Sequence, residues 1–174
     1  MLPAFAAVPL LLLQAPQVPL PLLEAKDLPP AARGPIPPQG PDLGAERGIT
    51  GRVRAASRRG PSIPALQVPA GSLRIRDKVP DQSGWRAYAI EVPGGGSVQV
   101  QVVDGRKGWF RVLAMNAWGQ DEPGLLQNRI PSGEPRASYR NLGPESRTVY
   151  FVVDTQDAHM VGEEFEVTVL RSGP

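Results

Sequence analysis

Residues Trp85–Val103 read WRAYAIEVPGGGSVQVQVV, two runs of alternating character on either side of a Pro93-Gly94-Gly95-Gly96 break. Tyr88, Ile90 and Val92 fall on one face of the first run. Val98, Val100 and Val102 share a face of the second, with Gln99 and Gln101 opposite. Side chains of an extended strand alternate between two sides, so this pattern predicts two half-buried β-strands. The Pro-Gly break predicts a tight connection between them, and the pair reads as a hairpin.

Further strands are expected at regular spacing on both sides: 72–79, 85–92, 97–103, 109–117, 137–142, 148–154 and 164–170. Turn-forming stretches separate them, among them Pro80-Asp81-Gln82-Ser83-Gly84, Asp104–Gly108 and Gly143-Pro144-Glu145-Ser146. No segment sustains a helical apolar period. Seven or eight short strands at this spacing predict an all-β fold, an antiparallel β-sandwich of jelly-roll or immunoglobulin-like type.

The prolines divide the chain. Fourteen of the 21 lie in residues 1–70, while all three Trp and all three Tyr lie beyond residue 70. Proline cannot donate a ladder hydrogen bond, and a core needs large apolar groups. The expected organisation is a signal peptide over residues 1–25, a Pro/Gly/Arg-rich linker over 26–70 and a β-sandwich over 71–174. The linker carries a candidate short strand at 49–56, ITGRVRAA, and the whole N-terminal segment is expected to be disordered.

Residues 1–23 have no charged side chain and hold the apolar run Val8–Leu13, the kind of segment that export machinery recognises. Ala15 and Ala25 are the candidate cleavage positions, with Ala25 favoured because Pro16 follows Ala15. A membrane-spanning helix is not expected in the mature chain: it needs roughly 20 apolar residues, and prolines break such a run. Here five prolines fall within the first 21 positions. The expected location is secreted, periplasmic or at the cell surface, with the cytoplasm as the alternative if the leader is not a signal. The cluster Arg52, Arg54, Arg58 and Arg59 is basic, but no nucleic-acid-binding signature accompanies it, and no nucleic-acid partner is expected.

Chemistry is sparse. There is no cysteine and one histidine, His159, so thiolate sites and a histidine-rich zinc site are excluded. No G-x-S-x-G accompanies His159, and no enzyme activity is expected. Two candidate ligand sites remain. Trp85, Trp109 and Trp118 lie near strand ends, where exposed rings would stack on sugars. Asp154, Asp157, Glu163 and Glu164 bracket the loop before the last strand. A calcium ion takes roughly six to eight oxygens, which such loops supply, so calcium at these four is the alternative to no cofactor at all.

The segment Trp85-x-x-Tyr88-x-Ile90-x-Val92-Pro93-Gly94-Gly95-Gly96-Ser97-Val98-x-Val100 resembles the opening of bacterial pre-peptidase C-terminal domains. Thr148–Val153 is similar to their penultimate strand and Gly162–Val169 to their closing strand, so the resemblance spans about residues 72–171. Phe110–Met115, FRVLAM, departs from the family's central Asp-Leu-Tyr-Leu strand, and a calcium site tied to that strand is not carried over. Members of that family are non-catalytic appendages of exported enzymes, or sugar- and matrix-binding modules. The resemblance therefore implies an exported accessory module with a protein or polysaccharide partner. An alternative from another class, independent of the resemblance, is a structural subunit of a cell-surface assembly whose N-terminal segment pairs with a neighbour's exposed sheet edge.

Overall fold

A computed structural model describes residues 19–32, 64–80, 84–103, 110–116, 125–126, 135–155 and 161–173. The described chain is all-β apart from one 3-10 turn. Its strands are β1 (Leu22–Glu24), β2 (Leu66–Gln67), β3 (Leu73–Lys78), β4 (Trp85–Val92), β5 (Ser97–Val103), β6 (Phe110–Met115), β7 (Leu125–Leu126), β8 (Arg136–Arg140), β9 (Arg147–Thr155) and β10 (Glu164–Ser172). They form two sheets, β1-β3-β10-β5-β8-β7 (sheet A) and β2-β4-β9-β6 (sheet B).

The period-two positions build one core between the sheets. Sheet A contributes Leu73, Ile75 and Val79, then Val98, Val100 and Val102, and Phe165, Val167 and Val169. Sheet B answers with Tyr88, Ile90 and Val92, Val149, Phe151 and Val153, and Phe110, Val112 and Ala114. Phe110 and Phe165 meet across the core, ring centroids 5.2 Å apart. Each buried aliphatic or aromatic side chain of this kind contributes about 1.5–3 kcal/mol relative to exposure.

The Trp85–Val103 segment is not a hairpin. β4 lies in sheet B and β5 in sheet A, so the Pro93–Gly96 break carries the chain across the core. Period-two alternation fixes which face of a strand is buried. It does not say whether two such faces lie side by side or opposite each other, and here they are opposite. The glycines answer separate demands. Gly95 has φ +75° in a turn closed by a Gly96 N–H bond to the Pro93 carbonyl, 3.0 Å. A Cβ on Gly94 would lie 2.2 Å from the carbonyl oxygen of Pro144.

The sheets are also mixed rather than purely antiparallel. β1 runs parallel to β3 and β2 parallel to β4, both at the same flank. With these additions there are ten strands in the described residues rather than seven or eight.

The sandwich does not begin at residue 71. Leu22–Glu24 pairs with β3 in the register Leu22↔Arg74 to Glu24↔Arg76. The 3-10 turn Ala25–Asp27 follows, and Ala25 and Leu28 are buried in the core. The chain then crosses to sheet B, where the amides of Gln67 and Ala31 bond to the carbonyls of Pro29 and Ala65, both at 2.8 Å. Residues 19–32 thus form a strap joining the edge of sheet A to the edge of sheet B. The candidate strand at 49–56 and the basic cluster at 52–59 lie outside the described residues.

The outer faces differ. On sheet A, β3 sets Arg74, Arg76 and Lys78 against Glu166, Glu24 and Glu164, at 3.4, 3.3 and 3.3 Å. On sheet B the outer face is apolar: Trp85, Ala87, Ala89, Met115, Tyr150 and Val152 form a second buried cluster, with Ala31 and Ala65 packed against it. Every side chain from Val149 to Asp154 is buried, as expected of a strand covered on both sides.

Candidate functional site

β3 alternates Leu73, Ile75 and Asp77 on its inward face, with Val79 buried just beyond its end, so strand geometry alone delivers a carboxylate to the core. Asp77 is 6% exposed. A buried carboxylate must be paired and hydrogen-bonded, and sheet B supplies the partners. Arg86 donates from Nε to Oδ2 at 2.8 Å and from Nη2 to Oδ1 at 3.2 Å. The Tyr88 hydroxyl donates to Oδ2 at 2.7 Å, and the Lys78 amide to Oδ1 at 2.7 Å. The two sheets are therefore pinned by charge at the strap end of the core. Burial, and then the neighbouring Asp77 charge and hydrogen bond, push the Tyr88 hydroxyl well above its usual pKa.

Beside this pin opens a cleft of about 260 Å³, walled by the strap, β2, β3, β4 and β10. Four cations line it, Lys26, Arg76, Lys78 and Arg86, against three carboxylates, Glu24, Asp77 and Glu164. Arg76 pairs with Glu24, Lys78 with Glu164 and Arg86 with Asp77. Lys26 is exposed on the 3-10 turn and has no ion pair among the described residues. One positive charge is thus in excess at the mouth. An exposed ammonium at a cleft that also holds guanidinium groups is suited to a carboxylate through charge-assisted hydrogen bonds.

The candidate metal residues are not brought to one point among the described residues. Asp154 is the penultimate residue of β9, fully buried, and accepts from Arg111 Nη2 at 3.0 Å. Glu164 opens β10 and pairs with Lys78, while the Glu163 carbonyl accepts from the Val79 amide at 3.0 Å. Asp157 and His159 lie outside the described residues. No group of three or more metal-ligating side chains converges among the described residues.

Trp85 is 7% exposed and belongs to the covered outer layer of sheet B, so its ring offers no open stacking face. Trp109 and Trp118 lie outside the described residues. No described helix is long and apolar enough to cross a membrane.

Sequence reasoning missed the Asp77–Arg86–Tyr88 pin and the cleft. The available signal was a charge at an inward position, Asp77 after Leu73 and Ile75, with Arg86 two residues before the inward Tyr88. The strap residues gave no such signal, because a three-residue strand is too short to show a period.

No family model matches this chain, and no curated protein matches it.

Proposed function

We propose that the protein is a non-catalytic β-sandwich module of an exported system, similar to pre-peptidase C-terminal domains, that works by binding an acidic site on a partner protein. The observation that carries this reading is the strap cleft, where Lys26, with no ion pair among the described residues, adds a positive charge to a lining that also holds the Arg86 guanidinium. The two described carboxylates buried to 6% or less, Asp77 and Asp154, are each engaged by an arginine. Such pairing suits a rigid binding scaffold, since both buried carboxylates are already taken up by guanidinium partners. The apolar leader over residues 1–23 supports export.

The test is a photo-reactive benzoylphenylalanine placed at the exposed Asp27 of the full chain in its native host. The expected result is one discrete adduct to a different protein, lost when Lys26→Glu reverses the neighbouring charge. An adduct indifferent to that reversal, or no adduct, overturns the reading. In parallel, residues 1–21 fused to a reporter active only outside the cytosol should yield activity; silence there removes the export part.

A further inference from the structure

We propose that residues 19–32 are an exchangeable strap, traded between two copies of the chain so that each copy's strap closes the other's flank. Among the described residues, the strap's partners outside itself are distant in sequence. The Arg74 amide donates to the Pro21 carbonyl at 2.7 Å, β1 pairs with β3 in parallel, and the Pro29 and Ala65 carbonyls bond across to β2 and the strap's own Ala31 amide. Glu24 and Arg76, which pair across β1 and β3, are 52 residues apart in sequence, so none of these contacts requires that both sides belong to one chain.

The connection leaves room for the trade. Residues 33–63 join the strap to the segment that contains β2, and 31 residues of extended chain reach at most roughly 100 Å by backbone geometry.

The seat explains the occupant. Without the strap, β3 would present an edge of unpaired amides and carbonyls, and the sockets of Ala25 and Leu28 would open onto the core. Edge polarity and apolar sockets with this spacing, together with Arg76 placed for Glu24, are matched among the described residues by the strap itself. A second copy carries that sequence. Exchange conserves every strap contact, so the balance of closed monomer and swapped dimer is set by concentration and by the connecting residues. The inference does not depend on export or on the acidic partner.

The chain has no cysteine, which makes a disulfide test clean. Glu24 and Arg76 face each other across β1 and β3, and their side chains are 41% and 48% exposed. Single variants Glu24→Cys and Arg76→Cys of the full chain are mixed, unfolded in urea, refolded together from micromolar to millimolar concentration and oxidised. The expected product is a two-chain species containing one of each variant, rising with concentration and exceeding its statistical share over the two homodimers. The double variant serves as the reference for closure within one chain. Internal bridging of the double variant, with mixed dimers absent or merely statistical at millimolar concentration, overturns the proposal. Failure of the double variant to bridge at all overturns it too, by removing the β1–β3 register on which it stands. Melting curves near that of the native chain confirm that each variant folds.

Discussion

Asp77 shows how one residue couples the sheets. Its carboxylate takes two bonds from Arg86, one from the Tyr88 hydroxyl and one from the Lys78 amide, all at the rim of the core. Removing one member of a buried ion pair leaves the other uncompensated, so Asp77→Ala should destabilise by about 3–4 kcal/mol in urea unfolding. Tyr88→Phe keeps the ring and removes one bond to a charged acceptor, for a loss of about 1.5–3 kcal/mol near neutral pH. Equal stability of Asp77→Ala and the native chain would contradict this role.

The same tyrosine carries a pH signature. Its folded-state pKa is raised above the ordinary value of 10.0, so above that pH the unfolded chain releases a proton that the folded chain retains. Stability is therefore fully present below pH 10 and falls as pH rises beyond it. Tyr150, raised by burial alone, adds to the same slope. Urea midpoints between pH 9 and 11 should fall for the native chain and less steeply for Tyr88→Phe; parallel curves would contradict the assignment.

At the level of elements, the crossing from β4 to β5 depends on a second polar pin. Asn141 is 1% exposed. It donates to the carbonyls of Val92 at 3.0 Å and Glu145 at 2.7 Å and accepts from the Gly143 amide at 3.1 Å. Its main chain bonds to Gly95 and Gly96, so the Pro93–Gly96 and Asn141–Ser146 segments are locked together. Gly94 has no room for a side chain against Pro144, whereas a Cβ on Gly143 meets only Asn141 Oδ1 at 3.5 Å. Gly94→Ala should therefore cost about 1–3 kcal/mol as an overpacking change, with Gly143→Ala close to neutral. Asn141→Ala should cost at least as much as Gly94→Ala, since it leaves buried carbonyls unpaired. Equal melting temperatures for the two glycine variants would contradict the close approach.

The apolar faces of these elements were readable in advance. Tyr88, Ile90 and Val92, Val98, Val100 and Val102, and Phe165, Val167 and Val169 all sit where alternation puts them. The pairing of β4 with β9 and of β5 with β10 and β8 was not readable, because alternation carries no information on which strand lies alongside. The continuous run Tyr150-Phe151-Val152-Val153 did hold the signal for a second covered face, through its lack of alternation. Covering that face is what buries Trp85.

For the molecule as a whole, the strap changes where the domain starts and where a ligand would enter. The cleft draws on positions 24–26, 66, 76–78, 86 and 164, which no local motif could unite. Proline-rich composition marked residues 26–70 as a tether, yet Pro21 and Pro29 flank the strap's short pairings, where missing amides cost nothing because their carbonyls accept from the Arg74 and Gln67 amides. Arg171 adds a tie at the same scale: from sheet A it donates to the carbonyls of Glu91 and Pro69, and burial lowers its pKa. A cut after Ala25 would remove β1 and its three register pairs with β3, so a processing event that preserves this fold falls before Pro21.

The measurement that tests the strap most directly compares thermal unfolding of chains beginning at residue 19 and at residue 33. Loss of Leu23, Ala25 and Leu28 from the core, offset by the ordering entropy of the strap, should remove about 2–4 kcal/mol and lower Tm by roughly 5–15 °C. Identical melting curves for the two chains would contradict a sandwich closed by an N-terminal strap.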